Sequence, residues 1–292
     1  MKLEKSRRLR ALLRGPGPAI GVGAQNALEA KLIARAGFDF VWSSSFGVSA
    51  SYAVPDASLL SMTQYLEAAR AMNDVMDLPI LVDADTGYGN ANNVMHATRL
   101  FEDAGIAGLC FEDKTFPKEN SLLAGGRQVL AEVDEFCGKL CAATDTRRDP
   151  DFVVVARTEA LIAGWGQDEA YARARRYVEA GADAILIHSK SKTPDEILEF
   201  VRRWDAPAPL VLVPTNYPSL SEKEIAALGK VKLVIYANQP MRAAVKATEE
   251  LLAEIRKAGG VHTVDDRMAP LTRIFELQDL PDVGKPACRP PR

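Results

Sequence analysis

The chain has 292 residues, 47% of them hydrophobic, and a formal net charge of -3 at pH 7. One α/β barrel of roughly 250 residues uses most of that length, although two smaller domains would also fit. The charge gives no basic footprint for nucleic acid or an anionic membrane, and no apolar run approaches the roughly 20 residues a bilayer requires.

The N-terminal segment is rich in lysine and arginine and lacks an apolar core followed by a cleavage site, so a cytoplasmic protein is expected. Cys110, Cys137, Cys141 and Cys288 have neither zinc-ribbon nor disulfide-framework spacing, which fits a reduced compartment. Cys137 and Cys141, four apart on an expected helix, either share a metal or pack as small apolar groups, and packing is the simpler reading.

Short apolar runs predict strands at 19–23, 38–43, 80–83, 108–112, 152–157, 184–188, 210–214 and 233–237. Amphipathic stretches at 27–36, 91–104, 168–180, 195–204 and 241–258 predict helices between and after them. Ala-Gly pairs at 36–37, 104–105 and 180–181 mark helix ends, as expected of glycine just past a C-cap. Eight β-α repeats close most economically into a (β/α)8 barrel of the TIM type, with an open doubly wound sheet as the alternative. No glycine-rich nucleotide-binding fingerprint stands between a strand and a helix. Residues 1–292 are therefore expected to form a single barrel domain, in which 264–292 supply an extra C-terminal helix and tail. The amphipathic segment at 268–277 has no barrel position left and is expected to pack on a partner subunit.

In a parallel barrel, chemistry belongs to the carboxyl ends of the strands. Those ends read Trp42-Ser43-Ser44-Ser45, Asp83 and Asp85, Glu112, Arg157 and Glu159, His188 and Ser189, Pro214-Thr215-Asn216, and Asn238. A ring of polar groups is costly to a barrel built for stability alone. Asp83, Asp85 and Glu112 are hard oxygen donors suited to Mg²⁺ or Mn²⁺; the alternative is an acidic cluster balanced by Arg157. Glu159 is either a fourth acidic ligand or a partner for Lys114. Arg157 and His188 suit phosphoryl or carboxylate oxygens, the alternative being an Arg-carboxylate brace and a satisfied core histidine. His96 and His262 read as surface residues. Lys118 and Asn120 lie on a loop leaving Glu112 that could close over an anion or remain a solvated loop. Asp56, in the long connection after the second strand, is placed to orient metal-bound water.

These residues as a set resemble the phosphoenolpyruvate mutase/isocitrate lyase superfamily over roughly residues 21–280. The resemblance is carried by Trp42-Ser43-Ser44-Ser45, Asp56, the Asp83-Ala84-Asp85-Thr86-Gly87-Tyr88-Gly89-Asn90 run, Glu112-Asp113-Lys114, Arg157 with Glu159-Ala160, Gly164-Trp165-Gly166, His188-Ser189-Lys190 and Val213-Pro214-Thr215. Carbon–carbon lyases of the superfamily carry a Lys-Lys-Cys-Gly-His loop. Here the loop is Lys114-Thr115-Phe116-Pro117-Lys118, so lyase chemistry is not implied. Glu112-Asp113-Lys114 followed after five residues by Asn120-Ser121 looks like the mutase signature, whereas phosphonopyruvate hydrolases have threonine where Asn120 stands. The segments 49–56 and 115–118 look more hydrolase-like, and Ser43 and Ser45 replace glycines of the usual Trp-Gly-Ser-Gly motif.

The resemblance implies rearrangement of phosphoenolpyruvate to phosphonopyruvate with Mg²⁺, hydrolysis of phosphonopyruvate being the alternative and a non-catalytic small-carboxylate barrel the remaining one. It implies metal binding by Asp83, Asp85 and Glu112, with Asp56 acting through water or, less simply, as a covalent phosphoryl carrier. Trp42, Ser44, Ser45 and Phe46 would hold the carboxylate, and Arg157, His188, Asn120 and Ser121 the migrating group, with Lys118 adding charge from the loop. It also implies a homodimer or homotetramer.

Overall fold

The computed structural model describes residues 2–280. Eight parallel strands close in sequence order into a barrel: β1 (Ala19–Ala24), β2 (Phe40–Ser43), β3 (Ile80–Asp83), β4 (Gly108–Glu112), β5 (Val153–Thr158), β6 (Ala184–Ile187), β7 (Leu210–Leu212) and β8 (Val231–Tyr236). The helices are α1 (Lys2–Arg14), α2 (Ala27–Arg35), α3 (Ser45–Ser51), α4 (Met62–Asp74), α5 (Ala91–Asp103), α6 (Val133–Thr146), α7 (Ala160–Ala163), α8 (Gly166–Glu179), α9 (Asp195–Arg203), α10 (Glu222–Ala227), α11 (Gln239–Ala258) and α12 (Leu271–Leu277). All eight expected strands are present, with ends shifted by at most a few residues. The open-sheet alternative is excluded by closure of β8 on β1.

Strands buried on both faces divide their side chains by the period of two. Phe40, Trp42, Leu81, Cys110, Val153, Val155, Leu186, Val211 and Ile235 fill the barrel interior, while Val41, Ile80, Val82, Leu109, Val154, Ile185 and Ile187 pack outward under the helices. The interior positions on β1 are small, and an added Cβ at Gly21 would meet the Phe40 ring at 2.3 Å. Glycine there makes room for Phe40 in the core.

The N-terminal segment, read only as charged, is the helix α1. Its Leu9 and Leu13 join the interior cluster, and Arg10 donates to Asp183 Oδ1 at 2.8 Å and to the Phe152 carbonyl at 3.0 Å. On α6, Cys137 is half-buried and Cys141 exposed. Their thiols lie 3.6 Å from the carbonyls of Arg176 and Ala180, so packing accounts for the first and only the surface for the second. Cys288 and the rest of the tail from 281 lie outside the described residues.

The barrel belongs to a compact unit ending at Met241. A second unit begins at Arg242 and contains most of α11, a 3-10 turn (Asp265–Arg267) and α12, the helix expected near 268–277. No helix among the described residues is long and apolar enough to cross a membrane.

Candidate active site

The interior-facing period carries past the last apolar residue of each strand. Two positions beyond Leu81 stands Asp83, beyond Cys110 stands Glu112, beyond Val155 stands Arg157, and beyond Leu186 stands His188. The alternation that builds the core thus delivers these side chains to one mouth of the barrel. Each is at least nine-tenths buried.

On the acidic side, Ser45 Oγ donates to Asp83 Oδ2 at 2.9 Å. Asp85 adopts a left-handed backbone, φ 48°, which is unfavourable for a side chain with a Cβ and is typical of residues held for a function. Its carbonyl is fixed by the Glu112 N–H at 2.8 Å. The Lys118 ammonium enters this group from the loop, 2.5 Å from Asp85, 3.2 Å from Asp56, 3.8 Å from Glu112 and 3.4 Å from Ser45 Oγ. Burial pushes the Asp85 carboxyl up to about 7, with Lys118 opposing and Asp83, Asp56 and Glu112 reinforcing the rise. Burial also raises Asp83, against Lys118 and Arg157. Burial would lower Lys118, but the surrounding carboxylates more than reverse it and hold the ammonium well above its ordinary range.

Five buried carboxylates (Asp56, Asp83, Asp85, Glu112, Glu159) face three buried cations (Lys114, Lys118, Arg157), which leaves two negative charges without counterpart. Asp85 Oδ1 and Asp56 Oδ1 meet only the Lys118 ammonium, and the two Glu112 oxygens only the looser contacts of Lys118 at 3.8 Å and Arg157 at 3.5 Å, none with hydrogen-bond alignment. That surplus and those oxygens fit a divalent cation. Among the described residues, no three acidic, histidine or cysteine side chains form a ready-made metal cage, so Asp83, Asp85 and Glu112 are brought together as a charge cluster with Lys118 among them.

The opposite side is a donor cradle. Arg157 Nη2 lies 3.0 Å from Ser121 Oγ and 2.9 Å from His188 Nδ1, while its Nε is 2.5 Å from Glu159 Oε1. His188 Nδ1 faces two neighbours, the Arg157 donor and Glu159 Oε1 at 3.5 Å; in the neutral ring that accepts from the nearer Arg157 the proton is carried on Nε2. Burial, then Arg157, lowers the His188 pKa and keeps the ring neutral. Lys114 binds Ser121 Oγ at 2.6 Å and the Glu119 carbonyl at 2.8 Å, and pairs with Glu159 at 3.2 Å. Burial would raise Glu159, but Arg157 and Lys114 hold it well below the usual carboxylate range. Glu159 is therefore the partner of Lys114 and Arg157, resolving the choice left open by spacing.

The loop 115–129 lies closed. Its stem is joined by the Lys114–Leu130 bridge and by Thr115 N–H donating to Val129 O at 3.0 Å. Lys118 is 5% exposed and Asn120 half-buried, whereas Phe116, Leu122, Leu123 and Val129 of the same loop are exposed. Asn120 donates through Nδ2 to Asp56 Oδ2 at 2.7 Å and accepts from Leu122 N–H at 2.9 Å. A cavity of about 60 Å³ is lined by Trp42, Ser44, Phe46, Asp56, Asp83, Lys118, Asn120, Ser121, Leu122, Arg157 and His188, closed on the β7–β8 side by Val213, Thr215, Ala237 and Asn238. Thr215 Oγ1 and Asn238 Oδ1 face it without partners; sequence reading placed both at strand ends but gave them no role. Ser45, Asp85 and Glu112 stand behind this lining. His96 and His262 are exposed, as expected. A larger open depression, about 680 Å³, includes Arg10 and Asp183, which are paired with each other.

A family model described as phosphoenolpyruvate phosphomutase matches residues 9–256. The chain is 52% identical over 276 residues to the phosphonopyruvate hydrolase of Variovorax sp. (strain Pal2), covering 94% of this chain and 95% of that one. It is 44% identical over 279 residues to the phosphoenolpyruvate phosphomutase of Streptomyces hygroscopicus, covering 95% and 88%. Among solved structures, the phosphoenolpyruvate phosphomutase from Streptomyces platensis subsp. rosaceus superposes with a TM-score of 0.92 at 49% identity, covering 95% of this chain and 96% of that one. A phosphonopyruvate hydrolase in complex with oxalate and Mg²⁺ gives 0.90 at 50%, with the same coverage.

Proposed function

The chain belongs to the phosphoenolpyruvate phosphomutase family, and from that premise we propose that it interconverts phosphoenolpyruvate and phosphonopyruvate. The observation that carries this reading is Asn120, whose amide is held 2.7 Å from Asp56 at the wall of the cavity that also contains Arg157, His188 and Ser121. An amide there fills space and directs N–H groups inward.

Starting from phosphonopyruvate, the bond from phosphorus to C3 breaks with its electron pair left on the pyruvate enolate, and a bond from phosphorus to the enolate oxygen forms, giving phosphoenolpyruvate. Mg²⁺, or Mn²⁺ in its place, would be held by Asp83, Asp85 and Glu112 and would supply positive charge to the pyruvoyl oxygens. Ser44 and Phe46 receive the carboxylate beside Trp42, while Ser45, behind that lining, holds Asp83 through its hydroxyl. Arg157, the Nε2–H of His188, Ser121 and Asn120 grip the three phosphoryl oxygens, so the transferring group stays in place while the enolate presents either atom. Lys118 closes the loop over the site and excludes water. Asp56, occupied by Asn120 and Lys118, is placed to orient rather than to attack.

The 52% identity to a phosphonopyruvate hydrolase favours the second reading, in which water rather than the enolate oxygen takes the phosphoryl group. The two differ in one product. With phosphonopyruvate followed by phosphorus NMR, phosphoenolpyruvate is expected as the first signal, and Asn120→Thr is expected to slow rearrangement and raise the released phosphate. Stoichiometric phosphate from the start, with no phosphoenolpyruvate, would establish the hydrolase.

A further inference from the structure

Asp113 is the middle residue of the Glu112-Asp113-Lys114 motif, fully buried, and has no part in the chemistry above. Both its oxygens accept from the end of β5 and the residue after it, Oδ2 taking Thr158 Oγ1 at 3.3 Å, and Oδ2 also reaches α8. Oδ1 accepts the backbone N–H of Glu159 at 2.8 Å. Oδ2 accepts from Tyr177 Oη at 2.6 Å and Arg173 Nη1 at 3.3 Å, both on α8.

The same two residues also hold the returning stem of the loop. The Asp113 carbonyl accepts the Ala131 N–H at 2.8 Å, and Arg173 Nη1 donates to the Ala131 carbonyl at 3.0 Å. Both backbone groups of Ala131 are thereby held by the two residues of one buried ion pair, the N–H by the main chain of Asp113 and the carbonyl by the side chain of Arg173. Arg173 is itself braced by Glu169 at 2.8 Å and lies over the Trp165 ring, 4.9 Å from its centre.

We infer that Asp113 and Arg173 are positioning residues that couple the donor cradle to the loop stem. Glu159 aligns Arg157, Ser121 and Lys114, and its main chain is set by Asp113. The exit of the loop bearing Lys118, Asn120 and Ser121 is set by Asp113 and Arg173 together. Neither residue touches the cavity, so the pair acts through Glu159 and Ala131 alone. The ligand affected is a phosphoryl or phosphono monoanion or dianion of the substrate class proposed above, and the functional half of this inference rests on that reading.

The experiment compares wild type with Arg173→Met and Tyr177→Phe by hydrogen exchange and by steady-state kinetics with phosphonopyruvate and Mg²⁺. Arg173→Met is expected to speed exchange of the amides of Thr115 and Ala131 about tenfold or more, the size of a lost charge-assisted hydrogen bond. Strands β5 and β6 should keep their protection. The KM should rise by about the same factor with a smaller change in kcat, because the cradle binds the ground state as well as the transition state. Tyr177→Phe, which keeps both charges, should move the same quantities in the same direction by a smaller factor, and it decides the matter should Arg173→Met not fold. Faster exchange spread evenly over strands and loop, with KM unchanged, would reduce the pair to a structural brace and overturn the inference. Unchanged loop exchange in both variants would overturn it as well. Exchange needs no turnover, so absence of activity in the wild type would count against the proposed reaction while leaving the coupling of Asp113 to the loop stem decided.

Discussion

Asp83 shares the interior face of β3 with Leu81, accepts from Ser45, and yet is held with a raised pKa by its burial. Its ionised form is therefore carried by the fold at a cost, and removing it relieves that burial and the repulsion from Glu112 and Asp56 while giving up the larger attraction of Lys118 and Arg157, so the terms offset. The expected result for Asp83→Ala is a melting temperature close to wild type in chelator, lowered at most by the lost bond to Ser45. Cation binding should behave differently. Outer partners of metal sites already contribute about 10–100-fold to affinity, so loss of a carboxylate facing the ion should weaken Mg²⁺ or Mn²⁺ binding by at least about 100-fold. Calorimetric titration measures this directly, and undiminished affinity would remove Asp83 from the metal site. Lys118 belongs to the same balance, because its ammonium already neutralises part of the charge on Asp85 and Asp56.

At the scale of elements, the approach of β1 to β8 fixes the far wall of the cavity. An added Cβ at Gly23 would lie 1.9 Å from the Ala237 carbonyl oxygen and 2.6 Å from its carbon, both main-chain atoms that cannot swing aside. Gly23→Ala is expected to cost about 3 kcal/mol or more in denaturant unfolding, the upper end of overpacking effects, and to displace Asn238. Wild-type stability would show that the strand ends are looser than their packing implies. The eight strands were legible because each is a short apolar run, and Asp83, Glu112, Arg157 and His188 because the period of two extends one step beyond those runs. Helix α1 was not, since Leu9 and Leu13 are the buried apolar anchors among its described side chains and stand among many charges. The partnership of Glu159 was legible only as one of two readings: Lys114 reaches it from the segment after β4, and no spacing encodes that distance. Closure of the loop was likewise legible only as one of two alternatives, because Lys118 meets Asp56 and Asp85 only once the barrel has formed.

For the whole molecule, the second unit, taken by itself, carries exposed apolar side chains. None of the 20 residues of α11 is buried, and Val245 and Leu252 are 53% and 59% exposed. On α12, Leu271 is 72% exposed and Phe275 40%, with Ile274 only partly covered. Complete burial of such side chains contributes about 1.5–3 kcal/mol each, so a second copy seated here would gain enough to matter at micromolar concentration. A homodimer or homotetramer is the expected result of light scattering on the full chain, and truncation before Met268 is expected to lower the assembly state. A monodisperse monomer from the full chain would contradict this. Because Asp83, Lys118, Asn120, Arg157 and His188 all belong to the unit ending at Met241, the truncated protein should keep its cation affinity even as it dissociates. Loss of that affinity together with assembly would mean that a neighbouring copy, and not the ion pairs of Lys114 and Lys118 alone, keeps the loop closed.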